Sequence, residues 1–522
     1  MSSPAFRSSE DDTSQRSRTI ASLLNKPQIH IALHDQQGTA RKTYSTMDEI
    51  RGTVSITAPS STRFDELEIA FFGYTKTFVD RMANTAAISG RTEAAHSFMK
   101  LTQPGLEDHY PQSRILEAGQ PYRFEFTFNV PSQLLPKKCT HPVATIGVRE
   151  SHLRLPPSLG DKDLNAASSA PLDDLSPDMG KITYEIRATI VRVNERDQSE
   201  SVVATKPRKI RVVPAVAEDP PVSLEANLTD YRFREEKNIK KNIFKGKLGR
   251  LVMESVEPRP FRLSSPSNGD NGLVDTLATV MLRFDPHDAS SPLPRLSTLT
   301  SKLKSYTHYA SSVRHAYPTK ASVMIDMSQG LHTETLTLAS RCVHQVEWET
   351  HASTPPGRRS STNWLPPPSS SYNASYPFYT ASIIVPLTLP ANKAFVPNFH
   401  SCLMSRVYAL DFSLSLHGPG PSSPTINVKV PIQVACAGST AEQQRAASAQ
   451  AAADDAVALG EELQSLYRPQ SIATAISGPS STAAVEGEGN TTAPLRGSDE
   501  PPSYQVFAPP YHQQNYHVSC VG

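Results

Sequence analysis

From Pro27 to Val213 the apolar residues recur at every second position, and helical spacing is nearly absent. Ile50, Gly52, Val54 and Ile56 alternate with Arg51, Thr53 and Ser55. Tyr122, Phe124, Phe126, Phe128 and Val130 alternate with Arg123, Glu125, Thr127 and Asn129, and Pro131 stops the run. Ile182, Tyr184, Ile186, Ala188 and Ile190 do the same against Thr183, Glu185, Arg187 and Thr189. Successive side chains of a strand point to opposite faces, so this pattern predicts half-buried antiparallel strands of a sandwich with one wet face. Leu67, Ile69 and Phe71 alternate less cleanly, as a strand near the core centre does. Lys206–Pro214 reads as a last strand that runs into the proline-rich joint Ala215–Val222.

A second alternating set follows. Ala278, Val280, Leu282 and Phe284 share one face, and Ala321–Met327 and Ala381–Leu389 read as strands. Leu410, Phe412, Leu414 and Leu416 alternate with Asp411, Ser413 and Ser415; Val428, Val430, Ile432 and Val434 close the set. Pro431 lacks a ladder donor and belongs on an edge or at a bulge. Pro258–Leu273 and Thr350–Ser375 are rich in Ser, Pro and Gly and are expected to be mobile loops. The expected organisation is all-β: a disordered lead-in (1–26), a sandwich (27–214), a linker (215–221) and a second sandwich (222–437). Ser439-Thr440-Ala441-Glu442 fits a capping box and opens an Ala- and Gln-rich, helix-prone spacer (438–468). The remainder (469–522), rich in Ser, Thr, Pro and Gly, is expected to be disordered.

Charge narrows the function classes. Lys+Arg number 52 and Asp+Glu 51, so no overall field favours nucleic acid. Trp348 and Trp364 are too far apart for a base-stacking surface. Met1–Arg18 is polar and predicts no secretory leader, and no apolar run approaches the ~18–20 residues that span a bilayer. Membrane contact is therefore expected to be peripheral or through a partner. The cysteines, Cys139, Cys342, Cys402, Cys436 and Cys520, are widely spaced and form no Cys-x-x-Cys pair. Spacing thus indicates neither a zinc site nor a disulfide framework, and a reducing, cytosolic compartment is expected. The histidines form no His-x-x-x-His or His-Glu-x-x-His pattern, and no nucleophile elbow, phosphate loop or dinucleotide fingerprint occurs. The expectation is a non-enzyme without metal or cofactor; the rival is an unrecognised catalytic site where the sandwiches meet.

The motif that points to a partner lies in the tail. Glu500-Pro501-Pro502-Ser503-Tyr504 combines two prolines, which pre-set a polyproline II ridge, with a tyrosine two places later. Pro501, Pro502 and Tyr504 resemble the PY motif read by WW domains, notably those of HECT-type ubiquitin ligases. The near misses Pro509-Pro510-Tyr511, Pro367-Pro368-Ser369-Ser370 and Pro156-Pro157-Ser158-Leu159 lack this spacing.

Several longer stretches resemble the fungal branch of the α-arrestins, the arrestin-related trafficking adaptors. They are Tyr122–Pro131, Leu155–Gly160, Leu172–Tyr184, Leu277–Phe284 running into Asp285-Pro286, and Phe395–Leu416. The resemblance covers roughly Pro27 to Val434, and the tail joins it through the PY motif; a single PY motif and the long spacer depart from the family pattern. It implies two tandem immunoglobulin-like arrestin sandwiches. It also implies an adaptor that touches cytoplasmic segments of a plasma-membrane transporter or receptor and recruits a ligase through its tail, promoting ubiquitylation and endocytosis. Localisation would be cytoplasmic, with recruitment to plasma membrane and endosomes. An arrestin-fold scaffold that works without ubiquitin is the alternative.

Within Glu235–Arg250, Lys237, Lys240, Lys241, Lys245 and Lys247 form the one dense basic cluster, interleaved with Ile239, Ile243, Phe244 and Leu248. Three readings fit: a lipid-facing surface, ubiquitin acceptors, or the solvated face of an inter-domain segment. Asp173, Asp174 and Asp178 lack further ligands at EF-hand spacing and read as a polar loop. His400 sits inside one of the family-like stretches and is expected to make a structural hydrogen bond.

Overall fold

The computed structural model describes residues 26–36, 42–81, 90–166, 172–215, 230–240, 246–264, 273–352, 365–417 and 424–438. All of them belong to one compact unit of the chain. The architecture is all-β, with sheets that are mostly antiparallel. The main strands of the first half are β1 (Gln28–Leu33), β2 (Glu49–Thr57), β3 (Glu66–Arg81), β4 (Gly90–Thr102), β5 (Pro121–Asn129), β6 (Gly180–Val193) and β7 (Glu200–Val212). Those of the second half are β8 (Arg234–Lys240), β9 (Lys247–Ser255), β10 (Asp275–Pro286), β11 (Leu296–Ala310), β12 (Gln329–Cys342), β13 (Phe378–Thr388), β14 (Met404–Leu416) and β15 (Thr425–Ile432). Short α-helices are α1 (Ile146–Leu153), α2 (Lys162–Ala166) and α3 (Lys320–Ile325).

In the first half a three-stranded sheet, β1-β2-β5, faces a five-stranded one in which Thr43–Tyr44 flanks β7-β6-β3-β4. Register carries the alternation from strand to strand. Val54 pairs with both Ile31 and Phe124, Gly52 with Leu33 and Phe126, and Ile50 with Phe128, so every apolar member faces the same core. Gly52 has no substitute there: a Cβ would lie 2.4 Å from the Phe126 ring and from the Ala32 carbonyl. On the facing sheet Ile69 pairs with Ala188, Phe71 with Ile186 and Gly73 with Tyr184.

The second half repeats the plan. One sheet runs β8-β9-β10-β13 and ends on Glu349–His351. The other runs β12-β11-β14, with Phe399–His400 and β15 both pairing β14. Their inner faces bury Leu251, Val280, Leu282, Phe284, Leu303, Leu410, Phe412, Leu414 and Val428 in a second core. The first core is not closed by the first half alone. Tyr309, Val396, Phe399 and Met404 reach into it from the second half.

Several expectations are corrected. Ala321–Met327 is not a strand: Thr319 and Ser322 form a capping box, which starts α3, and Met324, Ile325 and Met327 stay exposed. The outer face of β6 is not wet throughout, because Thr183 and Glu185 are buried. Thr183 donates to Asp161 at 2.8 Å from the segment laid across that sheet. Neither expected loop is wholly irregular. Phe261–Leu263 pairs in parallel with Val434–Cys436, and buried Ser369 donates its backbone N–H to Asp285 at 2.8 Å. Pro431 does sit on β15, which pairs β14 along one side. The lead-in, most of the joint, the helix-prone spacer and the tail lie outside the described residues. No helix among the described residues is long and apolar enough to cross a membrane.

Candidate functional site: the buried junction between the halves

The segment Asp173–Ser176, which precedes β6, meets β14 and the loop Pro390–Phe395. Arg406 on β14 has no solvent exposure. Its guanidinium donates to Thr307 Oγ1 at 2.8 Å, to the Asp174 carbonyl at 3.1 Å and to the Leu175 carbonyl at 3.0 Å. Leu175 adopts φ 59°, a left-handed conformation that side chains other than glycine rarely hold. Asp174 is buried and fixes the turn on both sides, accepting from Gly160 N at 2.8 Å and Ser176 N at 3.2 Å. Gly160 itself has φ +71°, and a Cβ there would lie 2.6 Å from the Gly180 carbonyl. Asp173 pairs with Lys393 across the junction at 2.8 Å. That hydrogen bond holds its carboxyl below the usual range. Thr77 closes the far side by donating to the Ala310 carbonyl at 2.6 Å.

A second cluster lies where the loop before α1 meets the loop before β14. Cys139, His141 and His152 come from the first half and Cys402 from the second, with donor atoms all within 4.8 Å of one another. His141 Nε2 lies 3.4 Å from both Cys139 Sγ and Cys402 Sγ, and His152 Nδ1 is 3.7 Å from Cys139 Sγ. Burial, then the Arg314 charge, pushes the His152 imidazole down to about 3, so it stays neutral. Burial and the adjacent Cys139 push the Cys402 thiol up to about 12. Two sulfurs this close ionise together only beside a compensating cation. Two thiols and two imidazoles are the donors that soft or borderline metals take.

Arg314 is buried, and its backbone N–H donates to the Cys402 carbonyl at 3.0 Å. It donates through Nη2 to the Ser401 carbonyl at 2.9 Å and to Ser405 Oγ at 2.6 Å. Its Nε and Nη1 have no hydrogen-bond partner. Tyr317 ties the same region together. Its hydroxyl hydrogen-bonds Ser151 at 2.8 Å and donates to the Gly147 carbonyl at 2.9 Å.

The residues singled out in the sequence fall in different places. Asp173 and Asp174 belong to the junction, whereas Asp178 is on the surface, paired with Lys162 at 2.6 Å. His400 Nδ1 has no hydrogen-bond partner, and the ring packs edge-on against Tyr317 at 4.8 Å. The basic cluster is part of the β8–β9 hairpin. Ile239 and Leu248 point into the second core, Lys240 and Lys247 are exposed, and Lys237 donates to the Thr425 carbonyl. Lys241, Lys245, Pro501, Pro502 and Tyr504 lie outside the described residues. The structure brings together what spacing left apart: Cys139-x-His141 and His152 are close in sequence, but Cys402 is 261 residues beyond His141. The Cys-x-His pair was the one local signal that could have pointed there.

Neither a protein-family model nor a curated protein matches this chain.

Proposed function

We propose that the chain is an arrestin-like trafficking adaptor. Two tandem sandwiches of the arrestin type form a body that meets cytoplasmic segments of a membrane transporter or receptor. Pro501, Pro502 and Tyr504 recruit a WW-domain HECT ubiquitin ligase. The cargo is then ubiquitylated and internalised, with the adaptor held at the plasma membrane and on endosomes by its partners. The observation that carries this reading is the combination of a PY spacing in the tail with a body whose halves interlock through Arg406 and Asp173–Leu175.

Tethering rather than chemistry is the mechanism. A lone PY peptide buries little surface and binds in the range of about 10–100 µM. Joined to a body that also holds cargo, it raises the local concentration of ligase around the cargo lysines. Of the hairpin lysines, exposed Lys240 and Lys247 are better placed than Lys237 for modification or for an anionic lipid surface.

The test is to purify wild-type and Tyr504→Ala protein side by side from native cells and identify what accompanies each. The expected result is a HECT ligase and ubiquitin-modified lysines with wild type alone, and membrane proteins common to both. Identical partner lists, together with cargo internalisation that ignores Tyr504, would replace this reading with a ubiquitin-independent scaffold.

A further inference from the structure

We propose that Cys139, His141, His152 and Cys402 form a tetrahedral zinc site that clips the two halves of the chain together. The inference does not rest on the adaptor reading. A zinc ion with Zn–S near 2.3 Å and Zn–N of 2.0–2.1 Å requires sulfur–nitrogen edges of about 3.6 Å in a tetrahedron. Three of the sulfur–nitrogen edges are 3.4, 3.4 and 3.7 Å, and all four donor atoms lie within 4.8 Å of one another. His141 Nε2 is equidistant from both sulfurs, as a shared vertex of such a tetrahedron would be.

The surroundings fit ligation as well. His141 Nδ1 lies 3.0 Å from the Pro142 carbonyl, so the ring proton is donated there and the Nε2 lone pair faces the cluster. The Arg149 guanidinium donates to the carbonyls of Cys139 and His141, which fixes the loop that carries two of the four donors. Arg314 places a cation beside Cys402, and two of its buried nitrogens lack a partner.

Two thiolates and two imidazoles within 4.8 Å of one another select zinc over the hard, oxygen-seeking cations. All four positions are protein donors, and Cys139, His152 and Cys402 are buried, so the site is closed and structural rather than catalytic. Three donors belong to the first half and one to the second, so the ion would fix their mutual orientation. It would add to the Arg406 contact a cross-link that depends on metal supply and on reduced cysteines.

The experiment uses the full chain, purified without chelator, and measures metal content by mass spectrometry of the elements. One zinc per chain is expected. In Cys402→Ala and His152→Ala the affinity should fall by more than the roughly 10–100-fold that follows loss of a group hydrogen-bonded to a ligand. Because these variants could fail to fold, the second measurement is made on wild type. Protein stripped with a chelator is titrated with cobalt, which should give the visible ligand-field bands of a tetrahedral ion and thiolate charge-transfer bands, both abolished by added zinc. Failure to retain stoichiometric zinc after loading and dialysis would overturn the proposal. So would full retention by a folded Cys139→Ser/Cys402→Ser variant, or an intact mass lower by a pair of hydrogens, which marks a disulfide.

Discussion

Arg406 carries a charge to a place without solvent and spends it on neutral acceptors. Hydrogen bonds from a charged donor are worth more than neutral ones, and acceptors left behind in the interior lose their solvation. Arg406→Met keeps much of the volume but strands two carbonyls from the other half, so it should cost about 3 kcal/mol in urea unfolding. A loss below about 1 kcal/mol would show that the junction is held elsewhere. His308, on β11, tests the same interior through pH. It is buried, its Nδ1 has no partner, and burial followed by the Arg314 and Lys320 charges pushes it from 6.5 down to about 3. A base with a depressed value in the folded state is protonated there less than in the unfolded chain. Stability is therefore full above 6.5 and falls as pH drops from 6.5 toward 3. Between about pH 7.5 and about pH 5.5, His308→Asn should lose roughly 1 kcal/mol less stability than wild type. Equal losses in both would mean that His308 takes up its proton freely in the fold.

At the scale of elements, what could be read in advance is what depends on neighbours in sequence. A two-residue period fixes which side chains share a face, and the alternating runs of the first half, from Ile50–Ile56 to Ile182–Ile190, became strands whose apolar face is buried or, at Tyr122, half-buried. Pro431 was legible for the same local reason. Where the reading failed, another interaction decided. Ala321–Met327 looks like a strand by alternation, but Thr319 and Ser322 satisfy each other's backbone donors and start a helix, and no sheet covers Met324 or Ile325. Thr183 and Glu185 look like wet residues, yet Asp161 reaches one, and Arg187 with Tyr74 reaches the other. The junction and the Cys/His cluster were beyond local reading altogether. Arg406 and Asp174 are 232 residues apart, and no pattern along the chain says that they meet.

For the whole molecule, the question is whether the halves are separable bodies or one folding unit. Each half builds two facing sheets, which suggests independence. The first core, however, is completed by Tyr309, Val396, Phe399 and Met404, and the contacts of Arg406 and of Asp173 with Lys393 cross the same boundary. A core missing four apolar side chains loses several kcal/mol of burial, comparable to the net stability of a domain. The halves should therefore unfold together. Trp348 packs against the second core, so its fluorescence reports on the second half. Ile50 lies in the first half with no exposure, and Ile50→Ala should cost about 3 kcal/mol. If unfolding is concerted, that substitution moves the tryptophan transition in urea as far as it moves the circular dichroism transition. A tryptophan midpoint left at its wild-type position would mean that the second half stands without the first. In that case the junction acts as a docking surface between two independent bodies, and a cross-link such as the proposed zinc site would be what sets their orientation.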